Sequence, residues 1–115
     1  MLKFGVTYLK DGVWQGQQVV PAEWVELSAT PYRKNRSINT PGGTIGLMGY
    51  GYSLWTKRIL RPGIATRFFA AGGWGGQEII VLPEHNAVVV FTGGNYAVTA
   101  RPFTILRRHI LPALE

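Results

Sequence analysis

Two apolar segments, "QEIIVL" over residues 77–82 and "AVVVF" over residues 87–91, are joined by the short stretch "PEHN". Runs of β-branched and aromatic residues of this length, separated by Pro, Glu, His and Asn, predict two antiparallel strands and a hairpin loop. They do not alternate. Ile79 to Leu82, and then Val88 to Phe91, are apolar at successive positions, so both faces of the hairpin require cover. Any fold for this chain must therefore lay apolar material on two sides of one sheet. Directly upstream, "AAGGWGG" strips the side chains from both flanks of Trp74. Glycine beside a strand weakens it and marks a turn, a bulge or a close approach to the backbone.

The remaining pattern supplies candidate cover. Residues 1–10 place Leu2, Val6 and Leu9 on one helical face, with Phe4 and Tyr8 alongside. Turn signals follow at Asp11-Gly12 and Gln15-Gly16. Pro21 and Glu23 open a second helix to about Ser28, with Trp24 and Leu27 expected inside. Residues 30–49 read as a long irregular loop. "YGYSLWTKR" and "IATRFFAA" then read as two strands on either side of the Arg61-Pro62-Gly63 turn. From about 99 to 111, Phe103, Leu106 and Ile110 form the apolar stripe of a terminal helix that Pro112 is expected to end. The class is α+β, an antiparallel sheet with flanking helices. Three short helices cover two sheet faces poorly, so residues 1–115 are expected to form a single, partial domain.

Composition narrows the function. A net charge of +6, from 12 basic and 6 acidic residues, raises nucleic acid as a partner. The cations are scattered beside loops and on the terminal helix without a recognisable binding module, so a solvated basic face is expected and no nucleic-acid function. No apolar run approaches the roughly 20 residues of a membrane span, and "MLKFGVTYLK" lacks a signal-peptide pattern. With no cysteine, disulfides and thiolate metal sites are excluded, and the compartment stays open.

The residues do not assemble a complete catalytic set. The serines are Ser28, Ser37 and Ser53, and the residues three beyond them are Pro31, Thr40 and Thr56, so no Ser-x-x-Lys motif exists. His85 falls in a hairpin loop and His109 near a helix end, where a loop residue and a C-terminal cation are the ordinary expectations. Metal-ligand spacing is absent, and the glycine clusters lack the Lys-Ser/Thr pair of a phosphate loop. No metal and no cofactor are expected.

At "GGWGGQEIIVLPEHNAVVVFTGG" the chain resembles the C-terminal segment of the serine β-lactamase-like hydrolases, which include class C β-lactamases, esterases and penicillin-binding-protein-like relatives. Trp74-Gly75-Gly76 occupies the place of that family's third active-site triplet, followed by a strand, a Pro-Glu turn and a second apolar strand. "LKFGVTYLKDGVWQGQQVVPAEWV" is similar to its helix, "G-x-W-x-G" turn and "P-x-E-W" helix. "YGYSLW" and "RRHILPAL" match the strand before and the helix after, so the likeness covers nearly the whole chain. The resemblance implies a partial β-lactamase/transpeptidase-like fold. It makes the Gln77 backbone N–H an oxyanion donor in a complete enzyme, and Trp74, Gly75 and Gly76 the substrate-facing wall. Trp74 in place of a lysine implies small esters or neutral amides as substrates. The family's Ser-x-x-Lys and Tyr-x-Asn motifs lie N-terminal to the matched region and are missing here. The chain alone is therefore expected to be inactive, its partner either a missing N-terminal catalytic segment or another copy held through an exposed sheet. Members of this family are often exported. The alternative is a non-catalytic module that binds carbohydrate or peptide through Trp14, Trp24, Trp55 and Trp74.

Overall fold

The computed structural model describes residues 1–35, 39–40, 43–44, 48–61, 64–94, 96–97 and 101–114. Helix α1 (Leu2–Leu9) leads into a small hairpin of β1 (Val13–Trp14) and β2 (Gln17–Gln18), then α2 (Ala22–Ser28). Short strands β3 (Arg33–Asn35), β4 (Asn39–Thr40), β5 (Gly43–Thr44) and β6 (Met48–Tyr50) precede the long ones, β7 (Trp55–Arg61), β8 (Ile64–Gly72), β9 (Gln77–Leu82) and β10 (Ala87–Thr92). The C-terminal helix is α-helical over α3 (Arg101–Ile105), widens to a π turn over Leu106–Ile110 and closes with α4 (Leu111–Ala113).

One sheet of six strands, in the order β10-β9-β8-β7-β6-β3, organises the chain. Its pairs are antiparallel throughout, and all but β3–β6 join strands that are consecutive in the chain. The β9–β10 hairpin forms with Ala87 opposite Leu82 and Thr92 opposite Gln77. Asn86 closes its loop at φ 47°, a left-handed conformation that asparagine tolerates better than most residues. The expected strand over "YGYSLWTKR" divides in two. A turn at Gly51–Leu54 separates β6 from β7, with Ser53 at φ 59°.

Cover on both sheet faces comes from within the chain. The C-terminal helix lays Leu106 and Leu111 against Ile59, Phe68, Ala70, Ile80 and Leu82, and Phe103 stacks on Phe68 with centroids 5.7 Å apart. On the opposite face α1 crosses β9 and β10. Burial of Ile80, Val81 and Leu82 is complete or nearly so, which corrects the expectation that β9 needs cover from outside. The half-buried strand is β10, at the sheet's edge.

The helices meet the sheet differently from the apolar spacing. On α1 the buried residues are Gly5 and Thr7, while Phe4 is 70 % exposed and Leu2 also faces out. Gly5 is the contact point because any Cβ there would fall against Val88 and within 2.9 Å of Ile79 Cγ2, so the helix packs through its bare backbone. On α2 Val25 and Ser28 are buried, whereas Trp24 and Leu27 are exposed. The helix is only two turns long, and its last turn is tied to the β6–β7 turn, where Tyr52 N–H donates to the Ser28 carbonyl at 3.1 Å. Pro112 does not end the C-terminal helix. It sits at the start of α4, where a missing N–H costs little, and the preceding π turn absorbs the change in hydrogen bonding.

Candidate functional site

The end of the sheet where β8 turns into β9 carries the motif singled out above. Gly73 N–H donates to the Gln77 carbonyl at 2.8 Å, and Gly76 N–H donates to the Gly73 carbonyl at 3.1 Å, closing a tight loop. Trp74-Gly75-Gly76 is this loop. It leads into β9 rather than lying on a strand, and β9 begins at Gln77. Gly76 adopts φ +81°, which favours glycine. Gln77 folds its side chain back so that Oε1 accepts from Gly75 N–H at 3.1 Å. Trp74 projects from the loop and is 62 % exposed, so it fills no core space. Gly75 and Gly76 are themselves buried, at the lip of a cavity of about 280 Å³ bounded by Phe91, Gly93, Arg101 and Pro102.

The glycines have an intramolecular reason. A Cβ on Gly72 would stand 2.7 Å from the carboxylate of Glu78, its cross-strand partner. Glu78 shares its face with Ile80 and Leu82, is 6 % exposed, and its Oε2 has no hydrogen-bond partner among the described residues. Burial without a partner pushes its carboxyl up to about 7. Sequence reasoning passed over this residue. Its signal was parity: within "QEIIVL", an acid two positions before Ile80 falls on the core side of the strand.

The other chemistry-bearing residues lie apart. Ser28 is buried and donates its hydroxyl to the Val25 carbonyl at 3.0 Å. Ser53 is exposed in the β6–β7 turn, and Ser37 lies outside the described residues. His85 meets Thr66 Oγ1 through Nε2 at 3.3 Å, and His109 is exposed on the C-terminal helix. Among the described residues no group of three His, Asp or Glu side chains could hold a metal, and no helix is long and apolar enough to cross a membrane. Lys57 faces the C-terminal helix, where burial lowers its pKa and Arg107 adds repulsion.

Two further surfaces were not legible beforehand. Trp14, Trp24, Trp55 and Trp74 do not form one platform. Trp24 instead stacks on Tyr52 with centroids 5.1 Å apart, and Tyr32 meets Tyr52 edge-on at 4.7 Å, all three rings partly exposed. A hydrogen bond with Tyr52 raises the Tyr32 pKa. Between α1, α2 and strands β7 and β8 runs an open groove of about 1030 Å³, floored by Phe69 and flanked by Tyr8, Val25, Arg58 and Arg67.

No family model matches the chain. It is similar to an uncharacterized protein of Alkalihalophilus pseudofirmus, 29 % identical over an alignment of 112 positions, with 90 % of this chain covered. The chain spans about a third of that relative's length, 33 %.

Proposed function

We propose that this chain is the C-terminal part of a β-lactamase-like serine hydrolase, contributing one wall of an ester- or amide-cleaving cleft. The observation that carries the reading is the β8–β9 turn. A glycine-lined loop presents Trp74 to solvent and runs straight into a buried central strand. In this reading the Gln77 backbone N–H serves as oxyanion donor in the complete enzyme, an interaction worth roughly 3 kcal/mol in a transition state. Gly75 and Gly76 keep the wall bare for an acyl group, and Trp74 offers an apolar contact. The nucleophile and base come from elsewhere, either from a segment N-terminal in the complete protein or from another chain. Self-association through the half-buried edge strand β10 belongs to the same proposal.

A second reading, non-catalytic binding of carbohydrate or peptide, draws on the exposed Trp24–Tyr52–Tyr32 cluster rather than on the tryptophans as a set. One experiment separates the two. The purified chain is offered a short-chain nitrophenyl ester and a fluorophosphonate probe, then titrated with soluble oligosaccharides while tryptophan emission is followed. The hydrolase-wall reading expects no turnover, no label and no saturable quenching. Stoichiometric label on Ser28, Ser37 or Ser53 would show an autonomous active site, and saturable quenching would favour the binding module.

A further inference from the structure

Strands β7 and β8 place Arg58 directly opposite Arg67. Residues in such a pair have Cα atoms about 4.5–5.5 Å apart, and like charges set opposite one another destabilise a sheet. Both arginines are exposed, and both line the open groove of about 1030 Å³. Among the described residues, no ion pair joins either guanidinium to a carboxylate. Glu84 reaches the same strand, but its Oε2 accepts from the Arg67 backbone N–H at 2.8 Å. Beside the pair, the floor is apolar and aromatic: Phe69 lies one alternation along β8 from Arg67, with the Tyr8 ring tilted over it at 6.3 Å. Away from the pair, Asp11 after α1 and Glu23 and Glu26 of α2 present negative charge to the same groove. An anion entering the groove is thus turned from the α2 side toward β7 and β8.

We infer that Arg58 and Arg67 form an anion-binding site in this groove, taking a carboxylate or phosphate carried on an apolar, ring-sized body. Two guanidinium forks on residues that line one groove match the oxygens of either group, and a bound anion offsets the repulsion between them. The ring lies against Phe69 and Tyr8. This site is independent of the hydrolase reading. Arg67 stands five residues before Gly72 along an extended strand, roughly 17 Å from the Trp74 turn by strand rise.

The test uses benzoate and phenyl phosphate as probes, benzyl alcohol as the neutral control, and sodium chloride at matched ionic strength. Calorimetric titration and thermal melts are run on the intact chain and on Arg58→Gln, Arg67→Gln and the double variant. Both anions are expected to bind saturably and raise the melting temperature, and the tighter of the two identifies the preferred head group. Each single substitution weakens binding about 10-fold, the loss of one charge-assisted contact. Without ligand and at low salt, the single variants melt about 2 °C higher than the parent, because each relieves the like-charge pair. The proposal is overturned if sodium chloride reproduces the shift, if benzyl alcohol binds as tightly as the anions, or if the double variant keeps its affinity.

Discussion

The two faces of the six-stranded sheet are built to different standards. Under the C-terminal helix, Phe68, Ile80, Leu82, Leu106 and Leu111 are completely buried and form one contiguous cluster. On the other face, α1 seals β9 and β10 through Gly5, but β7 and β8 look into a groove that α2 leaves open. A sealed face stores stability, while an open one leaves charged side chains and backbone within reach of a ligand or another chain. The glycine loop at Trp74 stands where the sheet ends, outside the packed cluster.

Substitutions can break this contrast, beginning with the packed face. Leu82→Ala is expected to cost about 3–4 kcal/mol in urea melts, because the surrounding cluster cannot collapse into the vacancy. Val25→Ala beside the groove should cost only about 1 kcal/mol, since water already has access to the space it leaves. Equal losses at the two positions would mean that the faces are equally closed.

Among the described residues Glu78 is the single buried acid, and it makes the packed face sensitive to pH. Burial raises its folded-state pKa from the ordinary 4.5 to about 7, so the folded chain keeps a proton that the unfolded chain releases. The resulting stabilisation is fully present below about pH 4.5, declines as pH rises, and is gone once pH passes about 7. A loss of about 2–3 kcal/mol over that interval is expected. Glu78→Gln should flatten the profile, and a profile unchanged in that variant would assign the pH dependence to another group.

Gly5→Val tests whether the bare backbone of α1 seals the second face. Its branched Cβ would meet Val88 and Ile79, and a cost of about 2 kcal/mol is expected, with faster hydrogen exchange in β10. Exchange that stays slow would locate the seal elsewhere on α1. The smallest effect belongs to Trp74→Ala, which should move stability by less than about 0.5 kcal/mol, because the side chain is exposed. A larger loss would mean that Trp74 has a structural task in the loop.

Much of this architecture was legible from local pattern. The strands over 64–72, 77–82 and 87–92 and the loop at "PEHN" fall where β-branched runs and turn residues put them. The stripe of Phe103, Leu106 and Ile110 does meet the core. The helix faces that misled share one cause. Helices α1 and α2 have apolar residues on more than one side, and apolar spacing alone does not say which side meets the sheet. Phe4 and Trp24 look like core residues and are exposed, while Gly5 and Ser28 look unremarkable and are buried.

The sequence by itself determined the antiparallel hairpins, the glycine-flanked Trp74 and the absence of a Ser-x-x-Lys motif, because each depends on neighbours a few residues apart. Only the tertiary structure decided that Arg58 stands against Arg67, that Glu78 is buried against Gly72, and that β9 is covered on both faces. The first two are facts of hairpin register, and the third is one of packing by helices distant in the chain. A shift of one residue in pairing would move each of these side chains to the opposite face.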